Sequence, residues 1–276
     1  MTAGLTPGVV TNEECDLHYW YQGSGPLITF IPGGNGRGRQ FFPLMGALSD
    51  RYTCVTFDRR QMSASKVKVS KRINPVQQAR DVLAIVDALG FEKSIFFGSS
   101  LGGLLAFTLG LYYPERIEHL IAHEAPTYHL LPNANEIIDK VLEFLEIRDE
   151  QGIPAAAKAF HENFLIGYED EGVPPPTSMP PEDAVNHWTY EIGVVSFPSP
   201  DLRHIVANGT SVGLMTGLRS RDAWYAKATY EQEKVLGCLR MDVPGHHQGF
   251  ESEMELFLPS LLRMLELLEK RKHGGS

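Results

Sequence analysis

The stretch Ser94-Ile95-Phe96-Phe97-Gly98-Ser99-Ser100-Leu101-Gly102-Gly103-Leu104-Leu105-Ala106-Phe107 sets a glycine-flanked serine between two apolar runs. It reads as strand, tight turn and helix. Gly98-Ser99-Ser100-Leu101-Gly102 matches G-x-S-x-G, a strained strand-to-helix turn that lifts the serine out of a sheet toward solvent. The flanking residues must be small because strand and helix start nearly touch there. A five-residue pattern also arises by chance, and a Ser/Gly helix start can pack tightly and do no chemistry. The surrounding strand and helix signals favour the chemical reading.

The same rhythm extends in both directions. Cys15 to Tyr21 alternates as an edge strand, and Leu27 to Ile31 is an apolar strand emptying into Pro32-Gly33-Gly34-Asn35-Gly36-Arg37-Gly38. A helix over about 40–49, a strand over 52–57 and the polar loop from Asp58 to Arg72 follow. Asn74-Pro75 opens a helix with a capping residue and a proline at its first position, and Val76, Ala79, Leu83 and Val86 give it an apolar stripe. Ile117 to His123 is the next strand. Strands alternating with helices predict a mostly parallel central sheet with helices on both faces.

After Glu124 the pattern turns helical, with helices over 137–147, 155–165 and 182–195 separated by proline-rich turns. This predicts a helical lid over 127–208 inserted between a first core segment, 1–126, and a second, 209–276. In the second segment strands at 212–216 and 238–243 flank a helix over 222–236. A closing helix spans 253–270, kinked or started by Pro259.

A chain of 276 residues suits one large α/β domain. With 43% hydrophobic and 21% charged residues and no run of eighteen apolar ones, it is neither disordered nor membrane-spanning. Net charge is -9 and the basic residues are scattered, which argues against nucleic acid as a partner. Met1 to Val10 lacks the charged and apolar regions of a secretory signal. Cys15, Cys54 and Cys238 are odd in number and without metal-ligand spacing, so reduced thiols in a cytoplasmic protein are expected, with no metal and no cofactor.

A serine needs a base and an orienting acid. Asp242-Val243-Pro244-Gly245-His246-His247 follows the last strand and offers His247 as base, with His246 beside it. His18, His119 and His204 read as surface or strand positions, and His161 and His187 as residues of lid helices. Two carboxylates compete for the acid. Asp222 follows the strand at 212–216 but also begins a helix, where an acidic residue is ordinary. Glu124 ends an apolar run, Leu120-Ile121-Ala122-His123-Glu124, where a lone carboxylate needs a partner. The glycine loop supplies main-chain N–H groups for an oxyanion, assigned to Gly34 together with Leu101 after the serine. A dinucleotide site fails because Arg39 occupies the third glycine position of G-x-G-x-x-G.

Together, Pro32-Gly33-Gly34-Asn35-Gly36, Asp58-Arg59-Arg60, Gly98-Ser99-Ser100-Leu101-Gly102, Ala122-His123-Glu124-Ala125-Pro126 and Pro244-Gly245-His246-His247 resemble an α/β-hydrolase across essentially the whole chain. The His-Glu-x-Pro segment is similar to that of the zearalenone-hydrolase-like lactonases. That resemblance implies Ser100, Glu124 and His247 as catalytic residues, Pro126 as part of the pocket lining, and Trp188 as the match to a substrate-contacting lid tryptophan. Trp188 also fits a helical stripe of lid core. Gln61 departs from the family pattern, standing where glycine often follows Asp-Arg-Arg.

The expected activity is hydrolysis of a carboxylic ester or lactone of an apolar small molecule through an acyl-enzyme. A carbon–carbon bond hydrolase or perhydrolase would reuse the same residues. A small-molecule receptor with little turnover is the alternative of another class. Serine rather than a carboxylate at the turn argues against dehalogenase and epoxide hydrolase chemistry. Phe144, Phe160, Phe164, Trp188 and Phe197 would give the lid an apolar pocket.

Overall fold

The computed structural model describes residues 4–170, 172–174, 178–195 and 199–274, the side chains of 194 and 195 excepted. Phe197 lies outside the described residues.

Nine strands form one sheet among these residues: β1 Thr6–Asn12, β2 Cys15–Gln22, β3 Leu27–Ile31, β4 Thr53–Phe57, β5 Lys66–Val67, β6 Ser94–Ser99, β7 Ile117–His123, β8 Val212–Gly217 and β9 Leu239–Val243. Across the sheet the order is β1-β2-β4-β3-β6-β7-β8-β9, with the short β5 on β2. The pairs β1/β2 and β2/β4 are antiparallel, and every pairing from β4 to β9 is parallel. The helices are α1 Phe42–Leu48, α2 Pro75–Ala88, α3 Leu101–Tyr112, α4 Ala134–Gln151, α5 Ile153–Phe164, α6 Pro181–Asn186, α7 Ile192–Val195, α8 Leu202–Ala207, α9 Trp224–Leu236, α10 Gly249–Ser252 and α11 Met254–Lys272. A π-helical turn, His187–Glu191, joins α6 to α7. None of the described helices is long and apolar enough to cross a membrane.

Strand alternation divides the core between the two faces of the sheet. Phe96, Leu120 and Leu214 pack with Val82 and Leu105 on one side, while their successors Phe97, Ile121 and Met215 pack with Phe41, Phe257 and Leu265 on the other. Strands buried on both faces are what a parallel sheet covered by helices requires. A third cluster, with Phe144, Phe164 and Trp188 at its heart, belongs to the helical insertion between β7 and β8.

Several sequence readings shift at their edges. β2 is not the sheet edge: β1, which the sequence reading passed over, pairs along its whole length. Cys238 stands just before β9 rather than in a strand, and all three cysteines are free. Pro259 neither starts nor ends the last helix, which runs through it from Met254. As the sixth residue of the helix it lies past the N–H groups that a helix start leaves free, so its missing N–H forgoes one bond of the ladder, that to the Glu255 carbonyl.

Gln61 has φ +65, the left-handed region that favours glycine. It holds that conformation through a reciprocal pair of bonds: its Nε2 donates to the Lys71 carbonyl at 3.0 Å and its Oε1 accepts from the Lys71 N–H at 2.7 Å.

Candidate active site

Ser100 lies between β6 and α3 with φ 55 and ψ -125, a strained conformation for a residue with a side chain. The flanking glycines permit it. A Cβ on Gly98 would stand 2.1 Å from the Gly102 carbonyl oxygen, and one on Gly102 would stand 2.1 Å from the carbonyl oxygen of Ile31. Ser100 occupies the N-cap position of α3, but its hydroxyl makes no capping bond. Its role is therefore not the ordinary one of closing a helix end. Its N–H donates to the His123 carbonyl at 2.9 Å, which ties the turn to the end of β7.

Glu124 follows β7 and is wholly buried. Its N–H donates to Met215 on β8 at 3.1 Å. The carboxylate accepts from the Gly217 N–H at 2.8 Å, from Ser220 Oγ at 3.1 Å and from His247 Nδ1 at 2.7 Å. Burial works to raise its pKa, but the His247 bond, the nearby histidines and Ser220 together hold the carboxyl below its ordinary range. Because that carboxylate only accepts, Nδ1 of His247 carries a hydrogen and Nε2 is left as the basic end of the neutral ring. The His247 ring also packs 4.2 Å from that of Tyr225, which fixes its plane.

The adjacent His246 faces elsewhere. Its Nδ1 accepts from the Gln248 N–H at 3.0 Å, its Nε2 lies 3.3 Å from Ser252 Oγ, and its ring stacks on Tyr168 at 3.9 Å. Burial lowers its pKa to about 4, so it stays neutral within its own loop. Asp222 stands apart from the cluster. Its side chain is 81% exposed and pairs with Lys227, ahead of a helix that begins at Trp224. Of the two carboxylates considered from sequence, Glu124 is the one brought to the histidine.

The loop after β3 closes the other side. A Cβ on Gly33 would lie 3.1 Å from Ser100 Cβ, and Leu101 is buried at the start of α3. Arg59, almost entirely buried, holds this loop from behind through Nε to the Gly33 carbonyl at 3.0 Å. Its guanidinium also binds Gln78 at 2.6 Å and makes a two-nitrogen pair with Glu191 of the π-helical turn. Burial opposes the charge on Glu191, yet Arg59 and His187 bring its pKa down to about 2. In the sequence Arg59 enters only as part of Asp58-Arg59-Arg60, His187 reads as an ordinary lid-helix residue, and Glu191 carries no role. The His-x-x-x-Glu spacing, one helical turn, was the signal available.

Pro126 is half-buried two residues after Glu124. Trp188 is turned into the insertion's own core, edge-on to Phe160 at 6.2 Å, and its carbonyl accepts from Arg148 at 2.8 Å. Among the described residues, Glu118, His119 and Glu269 bring three potential metal ligands within 4.8 Å of one another. They sit near the opposite end of β7, where Lys272 and His273 already pair with the two carboxylates.

Residues 26–191 match the model of the alpha/beta hydrolase fold family. The chain is 25% identical to the uncharacterized hydrolase YraK of Bacillus subtilis (strain 168), over 98% of either length. It is 26% identical to the zearalenone hydrolase of Bionectria ochroleuca, covering 76% of this chain and 89% of that protein. Among solved structures, the enol-lactonase from Burkholderia xenovorans LB400 superposes with a TM-score of 0.70 at 16% identity, over 94% of this chain and 100% of the other. That likeness speaks to the fold.

Proposed function

The chain belongs to the α/β-hydrolase fold family, and on that premise we propose that it is a serine hydrolase cleaving carboxylic esters or lactones of apolar small molecules. The observation that carries this reading is the uncapped Ser100 hydroxyl on a strained turn, at the same sheet edge as the buried Glu124–His247 pair. The sequence likeness to the zearalenone hydrolase of Bionectria ochroleuca, with the His-Glu-x-Pro segment similar to that of the lactonases, supports lactones beside esters.

In the proposed reaction His247 Nε2 takes the proton of Ser100 as Oγ attacks the carbonyl carbon. The N–H groups of Gly34 and Leu101 receive the negative oxygen, and the start of α3 adds its positive dipole end. Collapse expels the alcohol, which takes the proton back from His247 and leaves an ester on Ser100. Water, deprotonated by His247, then releases the acid and restores the serine. Glu124 keeps the ring in one tautomer and stabilises it while it carries the extra proton. Residues 127–208 act as the lid, Pro126 lines the pocket, and Trp188 supports the lid from within.

The test is a turnover screen over aryl esters, lactones and β-diketones, with Ser100→Ala as control. Hydrolysis of esters or lactones that vanishes in the variant is expected. Cleavage of β-diketones alone would move the activity to carbon–carbon bonds.

A further inference from the structure

Consecutive glycines of the loop after β3 face two different side chains. A Cβ on Gly33 would lie 3.8 Å from Ser100 Oγ, and one on Gly34 would lie 3.3 Å from His187 Cε1 and 3.8 Å from its Nε2. Bare main chain thus runs between the serine and a histidine of the insertion. His187 Nδ1 lies 2.8 Å from Glu191 Oε2. A carboxylate accepts, so Nδ1 carries the hydrogen, and Nε2 is the lone-pair end of the neutral ring. Arg59 meets the same Glu191 carboxylate with two further donors.

His187 leaves one ring nitrogen unspent, as do His247 and the fully buried His123. His119 and His246 each spend both ring nitrogens on neighbours. His187 Nε2 joins none of the hydrogen bonds among the described residues, and the side chain keeps 13% of its surface open beside the glycine loop. Unlike His123, which has no exposure, His187 joins an unspent nitrogen to a side chain still partly open beside the glycine loop, and its ring is oriented from behind by Glu191.

We propose that His187 is a substrate-binding residue, its Nε2 accepting a hydrogen bond from a hydroxyl carried on the acyl portion of the substrate near the scissile carbonyl. The preferred substrates are then hydroxyl-bearing esters or lactones. This rests on the serine-hydrolase reading, because it takes the Gly34 N–H as the place where the carbonyl oxygen docks. A hydrogen bond to a substrate hydroxyl discriminates strongly against the analogue lacking it, since the protein group is otherwise left unpaired.

The test compares kcat/KM for phenyl benzoate with that for its 2-, 3- and 4-hydroxybenzoate counterparts, in the wild-type protein and in His187→Leu and His187→Gln. The wild type is expected to favour at least one hydroxyl isomer about tenfold or more. His187→Leu should erase that preference by lowering kcat/KM for the favoured hydroxyl isomer about tenfold more than for phenyl benzoate, and His187→Gln, which keeps an acceptor, should restore part of it. A preference unchanged in His187→Leu overturns the proposal. So does an equal loss on all four esters, which would mark a structural role. Fluorophosphonate labelling separates the two levels. If Ser100 labels and none of the four esters turns over, the His187 proposal fails while the nucleophile assignment stands; if Ser100 does not label, the serine-hydrolase reading itself fails.

Discussion

His247 Nδ1 stands 2.7 Å from Glu124 Oε2, and the carboxylate that receives it has no exposure to solvent. Glu124 is also held at φ +48 and by two further donors. A side chain so constrained can orient one imidazole and do little else.

Removing that acceptor should cost turnover far more than fold. Glu124→Gln is expected to lower kcat by about a thousandfold or more, by leaving the histidine in the wrong tautomer. Asp222→Ala, on an exposed side chain, should stay within about threefold of wild type. Steady-state kinetics on one ester decides it, and a larger loss in Asp222→Ala would reverse the assignment.

The positions of Ser100, Glu124 and His247 were legible in the sequence for one reason: a parallel sheet delivers residues just past its strand ends to one edge. The choice of Glu124 over Asp222 rested in the sequence on its apolar run and on the resemblance, with Asp222 kept as the alternative, because the loop that bends inward is not a local signal. His187 was harder still. Its meaning depends on the insertion folding back so that residue 187 meets Gly34, a contact no local pattern encodes. The outer strand β1 was missed because one face of Thr6–Asn12 is open and its alternation is weak.

His123 makes stability depend on pH. It is fully buried, and burial lowers its pKa to about 4 from an ordinary value near 6.5. The unfolded chain therefore binds the extra proton first. This contribution is complete above about pH 6.5 and is lost as pH falls toward about 4. It amounts to roughly 2 kcal/mol between about pH 7.5 and about pH 5. His246 adds a parallel loss over the same window. His123→Phe should remove about half of the fall in urea midpoint across that range; an unaltered slope would contradict the assignment.

Two glycines should respond oppositely to alanine. Gly102→Ala puts a Cβ 2.1 Å from the Ile31 oxygen and should cost more than about 3 kcal/mol or prevent folding. Gly193, on α7, has nothing within 4 Å of the same added atom. Gly193→Ala should raise stability by about 0.5 kcal/mol through the unfolded chain. Thermal unfolding of the two variants measures both signs.

Arg60 and Asp81 form a buried pair in which Nε donates at 2.8 Å, with Asn12 Nδ2 also on the carboxylate at 2.8 Å. Arg60→Met should destabilise by about 3–5 kcal/mol, because Asp81 is left charged and desolvated. The double variant Arg60→Met/Asp81→Leu should recover a large part of that loss, and simple additivity in a double-mutant cycle would show that the pair is not coupled.

The most direct test is of the nucleophile itself. Wild-type protein treated with a fluorophosphonate should carry one adduct per chain, located by peptide mass spectrometry on Ser100, and should lose ester hydrolysis in step with labelling. Ser100→Ala, with unchanged circular dichroism, should take up no label and retain less than about a thousandth of the turnover. Ester hydrolysis undiminished in folded Ser100→Ala, or a stoichiometric adduct on another residue, would contradict the account.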